Sequence, residues 1–315
     1  MGKSGSAEQF AAQAEFSEAN GFDSFWLPEN HFGDSSSVPA PLLVLAVAAA
    51  RTSRIRLGTG SYLLTIRHPM LMAEEVAVLD RLSEGRITLG VGRGYLKGMF
   101  AGFDTPTEGK RERFEHALER MICAWRGEPV ATDPGTGAEK VGQGEPVYLA
   151  PRPVQTPHPP VWVAAFGPKA LAQAGRLGLP YLASPIETFA VLEENFALHA
   201  QAAKAADKPP PTVRPAMRTV YVSRNRHRLA AVRDALQQHA GTLARSPLAA
   251  IRRGAGRQVE EWAIVGEPHD VEDQIARLRE DLLLTHLIAT RSRIPDIAAD
   301  EIQASLALLG QLTLK

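Results

Sequence analysis

One thiol, Cys123, is all the cysteine in this 315-residue chain. A lone thiol excludes an intramolecular disulfide and argues for a reducing compartment. A net charge of one sign is also missing, because 35 Lys and Arg balance 35 Asp and Glu. No global field therefore favours nucleic acid or an anionic membrane, and any anion site must be local. The longest apolar run, PLLVLAVAAA at 41–50, falls far short of the ~20 residues a bilayer span needs. The polar N-terminus has no signal-peptide h-region. Neither an internal repeat nor an interdomain linker is visible. These absences predict a cytoplasmic protein.

What is present is an ordinary globular composition, 44 % hydrophobic and 22 % charged, long enough to bury a full core. Periodicity predicts helices over 7–20, 39–50 with Pro39 in its first turn, 68–83, 107–126, 168–178, 187–206, 226–240, 270–283 and 300–313. Strands are expected at 24–29, 55–64, 86–92, 160–165, 181–184, 216–223 and 285–290. Repeated βα units with apolar, non-alternating strands imply a parallel sheet covered by helices. The length favours one α/β domain over 1–315, a TIM (β/α)8-type barrel, with insertions at 127–159 and 241–262. No strand precedes the first helix, so the barrel's first strand is expected to be missing. That leaves unpaired edges on the strands at 24–29 and 285–290, unless the start is truncated or a seven-stranded variant closes them.

The segment RITLGVGRGY at 86–95 ends in three glycines around Arg93. Glycine inside a strand is entropically unfavourable and packs nothing, so such a cluster marks a bulge, a turn or a close approach to the backbone. In a parallel barrel the chemistry lies at the C-terminal strand ends. Glu29, Asn30, His31 and Phe32 fall there, as do Gly60, Ser61, Tyr62, Arg67, His68, Arg93 and Tyr95. After PVWVAA come Phe166, Gly167, Pro168 and Lys169, where a helix starts with free backbone N–H groups suited to phosphate. Arg93 and Arg111 would supply the opposing charge.

Four collinear blocks carry a resemblance: GFDSFWLPENHF (21–32), RLGTGSYLLTIRHPMLMAEEVAVLDRLSEGRITLGVGRGY (56–95), PRPVQTPHPPVWVAA (151–165) and VGEPHDVEDQIARLRE (265–280). Through them the chain resembles the bacterial luciferase-like flavin-dependent monooxygenase family. The resemblance implies a barrel that binds reduced FMN delivered by a separate flavin reductase, acts with oxygen on a small organic substrate, and forms a homodimer. A deazaflavin-dependent oxidoreductase of the same superfamily and a non-catalytic flavin-binding relative stay open. Arg93 matches the family's phosphate-binding arginine, and Arg111 a further arginine near the phosphate. Phe166, Gly167 and Ala170 fall on the phosphate-binding turn and helix start. Gly60 and Ser61 fall on the bulge behind the isoalloxazine ring, where a non-proline cis peptide is common, and Tyr95 falls beside the phosphate or the flavin edge. The glycines around Arg93 would let flavin approach the backbone. His68 is expected as a helix cap or a catalyst.

One departure from the family lies at the catalytic position. Where the luciferase alpha subunit has its catalytic histidine, this chain has Asn30, flanked by Glu29, His31 and Phe32. An amide cannot accept and return a proton near neutral pH. His31 could substitute only if its ring turns inward instead of packing outside the barrel.

Overall fold

The computed structural model describes residues 6–33, 37–133, 144–245, 252, 256, 258–291, 294 and 297–313. The chain is α/β and divides into two compact units, Met1–Glu18 with Asp23–Val161, and Ala19–Phe22 with Trp162–Lys315.

The first unit opens with helix α1 (Ala7–Ala19), then strand β1 (Ser24–Leu27), α2 (Pro41–Arg51), β2 (Arg56–Thr59) and the two-residue β3 (Tyr62–Leu63). It continues with α3 (Pro69–Leu82), β4 (Ile87–Gly92), α4 (Lys97–Gly102), α5 (Lys110–Arg126) and the short strands β5 (Ala131–Asp133) and β6 (Glu145–Val147). β1 pairs β2 in parallel with Ser24 opposite Arg56, and β2 pairs β4 with Leu57 opposite Ile87. β3 adds to β4 further along, Tyr62 opposite Val91. All six residues of β4 are buried, as a strand covered on both faces must be. Helix α5 shows the matching helical logic. Phe114, Ala117, Leu118, Met121, Ala124 and Trp125 form one buried stripe, and Gly127 (φ 86°) ends the helix in the left-handed conformation that glycine adopts freely.

Two charged side chains tie this unit together. The Arg86 guanidinium donates to Ser83 O, Ile55 O, Ala49 O, Thr52 O and Thr52 Oγ1, which satisfies carbonyls at the C-terminal end of α2. Asp80, fully buried in α3, accepts from Val154 N, Gln155 N and Gln155 Nε2 and so pins the 150s segment.

In the second unit β7 (Val161–Ala164) is followed by α6 (Pro168–Arg176), β8 (Tyr181–Leu182), α7 (Phe189–Ala205), β9 (Pro215–Val222) and α8 (Arg226–Leu243). Then come β10 (Ala263–Gly266), α9 (Pro268–Asp281), β11 (His286–Thr290) and α10 (Ala299–Thr313). β7 pairs β8, Ala183 bridges to Ala216, and β9 takes both β10 and β11 as parallel partners.

The structure departs from the sequence expectations in several places. The strand expected at 55–64 is two strands, broken at a cis Gly60–Ser61 bond. α2 begins at Pro41, not Pro39, because the residue before a proline is pushed out of the helical region and Ala40 is not helical. α4 and β10 lie where irregular chain was expected; six and four residues are too few to show a period. The segment 127–159 contains a small antiparallel ribbon, Ala131–Asp133 with Glu145–Val147, whose connection at 134–143 lies outside the described residues. Much of the expected 241–262 insertion lies outside them too, although α8 runs on to Leu243. β1 and β11 each pair with one strand among the described residues.

Candidate functional site

In the first unit the segments that follow β1, β2 and β4 bring together the residues picked out by the sequence. Glu29 is buried and its carboxylate is fully engaged. Oε1 meets His31 Nε2 at 2.6 Å and accepts from Arg67 Nη1 at 2.6 Å, while Oε2 accepts from Leu63 N at 2.9 Å. The Glu29 side chain is 0 % exposed, that of His31 5 %, that of Arg67 20 %. An ionised carboxylate only accepts, so His31 Nε2 carries the proton of this bond and the lone pair of the neutral ring sits on Nδ1. Arg67 also donates to Leu63 O and Pro39 O and stacks over the Tyr62 ring at 4.9 Å, which fixes its fork. Burial, reinforced by Glu75, which accepts from the Tyr62 hydroxyl, drives that phenol above its ordinary range.

Asn30 points elsewhere. It is exposed, its Oδ1 accepts from Val38 N at 2.6 Å, and its own N–H bonds Val38 O. It closes a loop and does not join the Glu29–His31 pair. β1 has ended by Leu27, so residues 29–31 are loop, and Glu29 and His31 meet on the same buried side.

The glycines around Arg93 have separate jobs. A β-carbon on Gly92 would overlap the Ser61 side chain, so the group that approaches the backbone there is Ser61. Gly94 (φ 70°) takes the left-handed conformation that redirects the chain. Between them Arg93 is held by its carbonyl, which accepts from Thr65 Oγ1 at 2.8 Å. Three cations gather here. Burial and the neighbouring Arg111 charge both lower the Arg93 pKa; Lys110 is lowered by burial, Arg93 and Arg111. Lys110 lies over the Phe100 ring at 5.4 Å and reaches Gly94 O at 3.4 Å. Cations that feel one another in this way can serve an anion. Sequence reasoning found the two arginines and missed Lys110, although GKRER displays it beside Arg111. Tyr95, next in the chain, is 53 % exposed. His68 is a cap: its Nδ1 accepts from Met70 N at the start of α3.

In the second unit Gly167 (φ 77°) precedes α6 with Pro168 at its first turn. Ala170 N–H closes onto Gly167 O at 3.0 Å, and proline has no N–H, so the donors this turn can offer an anion are those of Gly167 and Lys169. Phe166 is half-buried beside them. The same unit contains a polar network with no sequence signal beyond isolated polar letters. Buried Glu187 accepts from Tyr181 Oη, Ser184 N and Asn195 Nδ2, and fully buried Arg218 donates through Nη1 to Ser184 O and Met217 O. Burial raises the Glu187 carboxyl and lowers Arg218 to about 10. Among the described residues no cluster of His, Cys, Asp and Glu could hold a metal, and no helix is long and apolar enough to cross a membrane.

A buried histidine–carboxylate pair after β1 and a cation cluster formed by the end of β4 and the start of α5 can be compared with known proteins. The family described as luciferase-like monooxygenase matches residues 1–286. The chain belongs to that family. The oxygenase component of a flavin-dependent trigonelline monooxygenase from Acinetobacter baylyi is 30 % identical over 180 residues, 55 % of this chain and 47 % of that protein. An F420-dependent glucose-6-phosphate dehydrogenase from Beutenbergia cavernae is 37 % identical over 193 residues, covering 56 % and 54 %. The chain thus spans about half the length of the curated relatives it matches. The crystal structure of monooxygenase RslO1 from Streptomyces bottropensis superposes with a TM-score of 0.76 at 27 % identity, over 98 % of this chain and 94 % of that one. Relatives of this chain therefore include one named for flavin and one named for F420.

Proposed function

We propose that this chain is the oxygenase component of a two-component flavin-dependent monooxygenase, which binds reduced FMN and uses molecular oxygen on a small organic substrate. The observation that carries the reading is the Arg93–Lys110–Arg111 cluster, in a unit that also contains a histidine set on a buried carboxylate. Three neighbouring cations suit the doubly charged phosphate of FMN, which they would bind through charge-assisted hydrogen bonds. Gly60, Ser61 and Tyr95 are assigned to the same cofactor, and Phe166, Gly167 and Ala170 to a turn whose backbone donors receive an anion.

Reduced FMN, when bound, supplies the electrons that activate oxygen. The chain's own part is proton handling. His31 Nδ1 accepts a proton, Glu29 stabilises the imidazolium through Nε2–H, and Arg67 with Leu63 N holds the Glu29 carboxylate aligned. Asn30 shapes the loop that presents them. The role lost at residue 30 thus passes to its neighbour.

The F420-dependent relative favours a second reading, a deazaflavin-dependent oxidoreductase. Anaerobic titration of the chain with reduced FMN and with reduced F420 separates the two. Tight FMN binding followed by oxygen uptake coupled to substrate supports the first; binding of F420 alone overturns it.

A further inference from the structure

Beside the Glu29–His31 pair the first unit leaves aromatic surface in water. Phe32 is 66 % exposed and Phe103, which ends α4, is 37 % exposed. Their rings lie 5.2 Å apart, and Phe103 stands edge-on to the His31 ring at 4.8 Å with an interplanar angle of 88°. Phe32 to His31 is 6.0 Å. One ring of this trio is buried on a carboxylate, and the other two carry that contact outward to solvent.

The exposed rings are also held in place. Phe32 adopts a left-handed backbone (φ 55°), unfavourable for a bulky side chain. Its ring lies against Gly102, where a β-carbon would come within 2.5 Å of Phe32 Cε2, so only glycine leaves room for it. Behind Phe103, α4 is anchored by buried Met99 and Phe100, which cluster with Leu63. Leu63 is the residue whose N–H holds Glu29 and whose carbonyl holds Arg67. The aromatic pair and the proton-handling pair are therefore fixed by one backbone segment. Tyr95 and Leu96, at the other end of α4, are exposed as well.

Single exposed apolar side chains need no explanation, but contiguous ones, ordered at backbone expense and next to a buried ionisable pair, mark a ligand site. Aromatic faces select ring systems, because offset stacked and edge-on contacts add to simple apolar burial.

We propose that Phe32 and Phe103 form the acceptor subsite of this chain and that its substrate is a planar aromatic molecule, not a linear aliphatic one. The proposal rests on the monooxygenase reading for calling the ligand a substrate, and on the ring geometry alone for its class.

The test uses the full chain and two probes, 2-naphthol and 1-decanol, followed by calorimetry with and without FMN. Binding of 2-naphthol at least tenfold tighter than 1-decanol is expected. Phe103→Ala and Phe32→Ala should each weaken 2-naphthol about tenfold, and Phe103→Leu, which keeps apolar volume, should weaken it too. FMN affinity in these variants should equal that of the parent chain, which shows that they are folded. Equal binding of the two probes, or 2-naphthol affinity unaffected by all three substitutions, overturns the proposal. A chain that binds 2-naphthol in this pattern but binds no FMN keeps the subsite and loses the monooxygenase reading.

Discussion

Arg67 Nη1 and His31 Nε2 meet the same oxygen, Glu29 Oε1, each at 2.6 Å. Sharing one acceptor makes the carboxylate's geometry depend on both partners, and it forces Nδ1 to be the basic nitrogen of a neutral His31. His31→Ala is expected to lower turnover by about 10²–10⁴, the usual contribution of a positioned acid or base, without weakening cofactor binding. Arg67→Met should lower turnover by a smaller factor, because Glu29 loses the partner that aligns it. Product formation under saturating reduced FMN is the measurement. Full turnover in His31→Ala would remove the residue from the chemistry.

The cation cluster makes a separate prediction. Arg93→Ala should weaken FMN by roughly 1.5–3 kcal/mol, the value of a charge-assisted hydrogen bond. Lys110→Ala should weaken it less, since a lysine contributes a point charge where an arginine contributes a fork. Fluorescence titration of FMN with each variant decides. An unchanged affinity in Arg93→Ala would disconnect the cluster from the cofactor.

Much of this site was legible because its residues sit in short local motifs. GVGRGY placed Arg93 at the end of a strand, and PENHF put a carboxylate and a histidine two residues apart. What could not be read is what those groups touch. Arg67 is 38 residues from Glu29, and nothing local marks the pair. Phe103 meets His31 across more than seventy residues, carried there by a six-residue helix too short to reveal a period. The three glycines read as a bulge, a turn or a close approach to the backbone, and the sequence could not say that Gly92 makes room for the distant Ser61 side chain while Gly94 turns the chain. Periodic helices such as α5 were readable since burial there follows from spacing alone.

Acid stability should report on Glu18. Its carboxylate accepts the backbone N–H groups of Ser53, Arg54 and Ile55, which join α1 to the start of β2. Burial pushes its pKa upward, but the three backbone hydrogen bonds outweigh it and the folded value lies below the ordinary one. A depressed folded pKa means the contribution is present above the unfolded value of about 4.3 and disappears as pH falls through the folded value. Urea midpoints of the parent and Glu18→Gln should therefore differ at pH 7 and converge as the pH drops below about 4. A difference that is the same at pH 7 and pH 3 would contradict this.

The exposed face of α2 and α3 predicts self-association. Leu43 is 73 % exposed, Leu71 50 %, Val78 43 % and Leu82 60 %. Leu71, Val78 and Leu82 recur at spacings of seven and four, which places them on one side of α3, away from buried Met72, Ala73, Val76 and Ala77. A stripe of this kind is unfavourable in water and fits an isologous interface, in which the same face of a second copy covers it. Sedimentation at micromolar concentration should give a homodimer, and Leu71→Asp with Leu82→Asp should convert it to monomer, because two carboxylates buried without partners offset the apolar gain. A chain that sediments near its 34.1 kDa mass before any substitution would show that this face stays open to solvent.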